Sequence, residues 1–293
     1  LLSISMVLPT TSGSAAAAFA VTPKDVTTHK ATATEPTATP DSKATPPILE
    51  TDVASASNGC TMLGIYGSYY SQAQEALDKL NEIRKEACEA GNIPDPRRML
   101  TSDDYKPLRW SRDLESIARI RAAEAGISFN FMASGHDRPS DKDTFSLSFH
   151  GVSSNCEDLA YCWGKSMTEG VLLWKSEQKD WVDQNLSNET GHYKSMINPK
   201  YNYVGLGDFY SEAAPYPNTV AGEFSTRTGL NETMQDVQTD VIQKVEISNK
   251  YIKENFLDGT DTIKTEQTSS LTAKVRLELT RSNGKVSTGP SSL

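Results

Sequence analysis

"GHYKSMINPKYNYVGLG", residues 191–207, joins a glycine-histidine pair to an Asn198-Pro199 stop and then to a run alternating apolar residues with glycine. Proline cannot continue a helix, and the residue before it is biased to extended backbone, so Asn198-Pro199 reads as a stop and the run after it as a strand. Beyond the Pro-containing turn at "AAPYPN", "NTVAGEFSTRT" alternates as "YNYVGLGDFYS" does, and the two together predict an antiparallel hairpin. The chain has four histidines, and His192 stands just ahead of this stop and strand.

Upstream of this stretch the pattern is helical. "SYYSQAQEALDKLNEIRKEACEAG" carries Leu77, Leu80 and Ala87 at helical spacing and ends at Gly91. "PLRWSRDLESIARIRAAEAG" has Ser111 as an N-cap, with Leu114, Ile117, Ala118, Ala122 and Ala125 on one face and Gly126 as the expected stop. "SMTEGVLLWKSEQKDWVDQ" predicts a third, long helix opened by a Ser166/Glu169 capping box. Glu177 lies on the flank of its Trp174 and Trp181, where a carboxylate is not fully solvated. Helices first and a hairpin afterwards indicate an α+β fold rather than a parallel βαβ sheet.

The outer parts differ in composition. "LLSISMVLPTTSGSAAAAFA" is apolar and closes on Ala18-Phe19-Ala20, the small-x-small pattern of a signal-peptide cleavage site. Residues 1–20 are therefore expected to be the remnant of an export signal, leaving no transmembrane segment in the mature chain. Residues 21–58, rich in Thr, Pro and Ala, read as a disordered linker with too little apolar surface to offset the entropy of folding. Residues 59–230 form the expected main domain. From 231 to 293, "VIQKVEISNKYI" and "TAKVRLELTRSNGKVST" read as strands, the second with an Asn283-Gly284 hairpin turn, and suggest a partial Ig-like module or a β extension.

A formal net charge of −9 excludes a general phosphate-binding surface, and nucleic acid is set aside as a partner. Cys60, Cys88, Cys156 and Cys162 are an even set, for which the spacings suggest Cys60–Cys88 and Cys156–Cys162 bridges; none has the CxxC spacing of a thiolate metal or redox site.

Four stretches carry the chemistry: "SGHDRPSD" with His136, "SNCEDLAY" with Glu157, "LLWKSEQKDW" with Glu177 and "TGHYKSMINP" with His192. In order with "LNEIR", "PLRWSRDLESIARIRAAE" and "AGEF", they make the chain over roughly residues 70–228 resemble the CAP superfamily. This is the SCP-domain family of cysteine-rich secretory proteins, antigen 5 and pathogenesis-related proteins, here with an Asn-Pro of bacterial style. The resemblance implies an α-β-α sandwich with a central antiparallel sheet and a cleft lined by two His and two Glu. It places His136 in the family's H-x-R-P stretch, Glu157 in its G-E-N motif, Glu177 after the helical tryptophan and His192 in its G-H pair. Two departures stand out: the G-E-N motif reads Cys156-Glu157-Asp158, and "TVAGEFS" lacks the usual aromatic before its Glu. The resemblance further implies a secreted or cell-surface protein.

On their own chemistry, two converging neutral imidazoles are ligands for zinc or another divalent metal, with Glu157 and Glu177 orienting the rings or activating water. Two nitrogens are fewer protein ligands than a catalytic zinc site uses, so affinity is expected to be weak. Three roles stay open: a binding module for an extracellular protein, peptide or lipid; a metal-dependent hydrolase with Glu157 and Glu177 as candidate catalytic groups; and a lipid or sterol carrier. A purely structural network of the four side chains is the bland alternative. Ser134 and Ser195 lie near the two histidines but lack the nucleophile-elbow context of a triad. Arg138 is expected to pair with Asp137, Asp141 or a sheet carboxylate, and His150 and His29 carry no motif.

Overall fold

The computed structural model describes residues 46–70, 72–95, 98–212, 214–235, 240–251, 262–267, 275–280 and 286–288. The first helical repeat forms α1 (Ala73–Glu89), which buries Leu77, Leu80, Ile83 and Ala87. Each of the Leu and Ile side chains so removed from water contributes roughly 1.5–3 kcal/mol.

The second repeat forms α2 (Arg112–Ser128), with Ser111 Oγ accepting from the Leu114 N–H at 3.4 Å. Gly126, the expected stop, lies inside the helix, which runs two residues further. Its role is close packing: a Cβ there would come within 2.8 Å of Thr219 Oγ1.

The long third helix is in fact two, α3 (Met167–Lys175) and α4 (Gln178–Val182), parted at Ser176-Glu177. Ser176 N–H is shared between the Leu172 and Leu173 carbonyls, and its Oγ donates to Leu173 O at 2.6 Å. These contacts draw the ladder from i−4 toward i−3 and let the chain turn. Nor does the capping box form, because Ser166 caps with no side-chain bond. The stretch ahead of the Asn198-Pro199 stop forms a short helix not anticipated from the sequence, α5 (Gly191–Ile197).

The strands, in chain order, are β1 (Ile48–Leu49), β2 (Cys60–Ser68), β3 (Arg109–Trp110), β4 (Cys156–Cys162), β5 (Tyr203–Tyr210), β6 (Asn218–Ser225) and β7 (Asp240–Ser248). Among the described residues they form one seven-stranded sheet in the order β1-β7-β2-β5-β6-β4, with β3 beside β5. Pairings are antiparallel except the two-residue strands β1 on β7 and β3 on β5. The expected hairpin is β5–β6, in register from Tyr203↔Ser225 to Tyr210↔Asn218.

Strand alternation sends successive side chains to opposite faces. Val204, Leu206, Val220 and Phe224 join the core under α1, α3 and α5, while Leu63, Phe209, Leu159 and Ala221 pack with Ala118 and Ala122 of α2. The result is the expected α-β-α sandwich.

The outer segments partly depart from expectation. Residues 46–58, assigned above to the linker, hold β1 and tie to the sheet through Ser57 N–H to Glu246 and Lys244 Nζ to Glu50. Strand β7, assigned to a separate module, pairs with β2 along all nine of its residues. Its alternation of Val241, Val245 and Ile247 with polar residues could not reveal which sheet it joins. Further on, β8 (Thr262–Gln267), β9 (Val275–Thr280) and β10 (Val286–Thr288) make a three-stranded antiparallel sheet. The expected signal segment, residues 21–45 of the linker and the Asn283-Gly284 turn lie outside the described residues.

All four cysteines are free thiols. Cys156 and Cys162 occupy the two ends of β4, about 20 Å apart at about 3.3 Å per residue, well beyond disulfide reach. Cys60 Sγ donates to Ser140 O, while Cys88, in the last turn of α1, faces the core.

Candidate functional site

Strand β4 forms one edge of the sheet and carries Glu157 and Asp158 in succession, so their side chains leave on opposite faces. Substituting Cys156 for the glycine expected from the resemblance does not break the strand, which pairs without interruption from Cys156↔Phe224 to Cys162↔Asn218. The Cys156 thiol turns toward α5 and lies 3.2 Å from Ser195 Oγ, with burial raising its pKa to about 12.

Glu157 turns toward α2 and meets His136, which arrives on the loop after that helix. His136 Nδ1 is 2.7 Å from Glu157 Oε1. The Arg121 guanidinium grips the same carboxylate at both oxygens, 2.6 and 3.1 Å away. Burial pushes the Glu157 pKa up, but the Arg121 charge and the His136 and Arg121 hydrogen bonds outweigh it and hold the carboxyl well below its ordinary value. Glu223, opposite Glu157 in the register, is pushed the other way by burial and by the Glu157 charge.

On the other face the break between α3 and α4 turns Glu177 toward α5. His192 Nδ1 is 2.5 Å from Glu177 Oε1, and Glu177 Oε2 accepts the Tyr193 N–H at 3.1 Å. Trp174, fully buried, stacks against the His192 ring at 6.4 Å and donates its Nε1–H to Leu159 O. Burial lowers the His192 pKa, but the bond to Glu177 and the charges of Asp158 and Glu177 more than offset it, so the net shift is upward. Asp158 is raised well above its ordinary value by burial, reinforced by Glu177 and Glu157 against the opposing effects of His192 and Ser195. Its Oδ2 has no hydrogen-bond partner among the described residues.

The four residues singled out in the sequence thus form two buried His–Glu pairs, His136–Glu157 and His192–Glu177, flanking the β4 edge. Among the described residues, no group of three or more His, Cys, Asp or Glu side chains is arranged to hold a metal ion. In each pair the carboxylate occupies Nδ1, the contact by which outer carboxylates orient metal-ligating histidines, and Nε2 is left as the donor.

Sequence reasoning missed the ion network behind His136. Arg121 also bonds Glu124 at 2.7 Å, and Arg138 pairs with that same Glu124, not with Asp137, Asp141 or a sheet carboxylate. The signal was Arg121 and Glu124 three apart inside a helix buried from Ile117 to Ser128: charges in such a segment must be paired. Ser195 Oγ donates to Gly191 O and Ser134 Oγ accepts from the His136 N–H, so neither approaches an imidazole as a nucleophile would. His150, at φ +48°, is an exposed turn residue bonded to Asp113.

A layered sandwich with a His–Glu pair on either face of its edge strand defines the class of protein. The model of the cysteine-rich secretory protein family, CAP, matches residues 77–224, half of the chain, and the chain belongs to that family. A search of curated proteins finds no match to it. No helix among the described residues is long and apolar enough to cross a membrane.

Proposed function

We propose that this CAP-domain protein is a secreted or cell-surface binding module in which His136 and His192 hold a divalent ion weakly through Nε2, oriented by Glu157 and Glu177. The observation that carries the reading is the matched use of Nδ1: both imidazoles give that nitrogen to a buried carboxylate. The donor set suits zinc, and two nitrogens without a third protein ligand make binding weak unless a partner's group completes the shell. Both carboxylates are engaged with an imidazole and a second donor, which favours binding over hydrolysis, since a general base needs a free lone pair aimed at the water. Trp163, 70% exposed and tilted at 59° against the Tyr216 ring, adds an aromatic surface of the kind that anchors partners. Export rests on the Ala18-Phe19-Ala20 pattern and on the family's character.

Calorimetric titration of zinc into chelator-stripped protein, beside the His136→Ala, His192→Ala double variant, tests the reading. One-to-one saturable binding lost in the variant supports it; identical heats from the two proteins overturn it.

A further inference from the structure

Among the described residues, every hydrogen-bonding atom of His136 except Nε2 has a partner. Its N–H donates to Ser134 Oγ, its carbonyl accepts from Arg121 Nη2 at 3.1 Å and Thr144 Oγ1 at 2.8 Å, and its Nδ1 meets Glu157. Arg121 is common to most of this: besides Glu157 and Glu124 it bonds the carbonyls of Gly135 and His136, and its side chain is wholly buried.

A guanidinium can only donate. The buried Arg121 cation set against both oxygens keeps Glu157 a carboxylate, which can only accept, so the proton between it and His136 belongs to Nδ1. A neutral imidazole has one N–H, which leaves the lone pair on Nε2. Glu223, the cross-strand neighbour of Glu157, would otherwise be free to share a proton with it and leave Glu157 able to donate. Lysine offers no planar fork and could not bind both oxygens together with the two carbonyls.

We propose that Arg121 is a positioning residue that fixes neutral His136 as its Nδ1–H tautomer and so presents the Nε2 lone pair to the site. The consequence for zinc rests on the reading of His136 as a ligand; the tautomer does not. His192 is an internal control, because Glu177 takes a backbone N–H where Glu157 takes the guanidinium.

Long-range ¹H–¹⁵N correlation spectra of metal-free, ¹⁵N-histidine-labelled protein, recorded where imidazole is neutral, read the tautomer directly. The wild type is expected to show Nδ1–H at His136. In Arg121→Met the preference for that tautomer should fall at least about fivefold, the equilibrium factor for roughly one hydrogen bond, with His192 unchanged. Glu124→Gln, which leaves the Arg121–Glu157 fork in place, should keep the wild-type tautomer. If Arg121→Met does not fold, Arg121→Lys and the wild type decide. An Nε2–H tautomer in the wild type, or a wild-type ratio in either folded Arg121 variant, overturns the proposal. Zinc affinity, read separately, should drop by roughly 10–100-fold in the folded variant. A shifted tautomer in a protein whose wild type binds no zinc would sink the metal reading alone and leave the role of Arg121 standing.

Discussion

His192 and Asp158 are neighbours whose protonation preferences differ, and each makes a prediction. The folded pKa of His192 lies above the ordinary 6.5, so the imidazolium is favoured in the native state. The stability this contributes is fully present below the unfolded value and is lost as pH rises through the folded one. Glu177→Gln, which removes the charged partner, should lower the His192 pKa in an NMR titration and flatten that dependence; an unmoved pKa would show that Glu177 is not its cause. On the proposed metal reading zinc competes with the same proton, so its affinity should climb as pH rises through the His192 value. Asp158 carries the opposite sign: a carboxyl whose folded pKa is raised destabilises increasingly above its unfolded value, until the folded pKa is reached. Asp158→Asn, which installs the family's usual residue, should therefore add about 1 kcal/mol at neutral pH and nothing at pH 3. Equal denaturation midpoints for the two proteins at both pH values would contradict it.

At the scale of elements, the contact between α2 and the sheet depends on glycines in β5. A Cβ on Gly205 would run into the backbone of Leu114 and Glu115, and one on Gly207 into that of Arg119. Gly205→Ala must push the helix off the sheet and should cost about 3 kcal/mol or more in urea denaturation; a loss under about 0.5 kcal/mol would mean that helix and strand are not in such contact. The "YVGLG" alternation announced the strand in the sequence, since small residues at every second position leave the period of two intact. Helix beginnings and ends were also readable where one residue's chemistry decides them, as at Ser111 and Pro199. The break at Ser176-Glu177 was not, because the apolar spacing of Val171, Trp174 and Trp181 runs through it and only the Ser176 side-chain contact reveals the turn. That break aims Glu177 at His192, so the site residues were named by motif while the geometry joining them was hidden.

Across the whole molecule, the sheet is assembled from distant parts of the chain. Strand β7 lies between β1 and β2, and its Val241, Val245 and Ile247 are fully buried against the α2 side. Periodicity identified it as a strand, but pairing across some 180 residues leaves no local mark, which is why the sequence suggested a separate module there. A chain ending at residue 235 should accordingly lose its cooperative thermal transition, and an unchanged transition would return β7 to the status of an appendage. The central proposal is that His136 and His192, each paired through Nδ1 with a buried carboxylate, hold one weakly bound divalent ion through Nε2. The most direct measurement is anomalous diffraction at the zinc edge from crystals of the chelator-stripped protein soaked in zinc. The account predicts a peak about 2.0–2.1 Å from both His136 Nε2 and His192 Nε2; soaked crystals with no peak at either nitrogen, or with a peak on one imidazole alone, would contradict it.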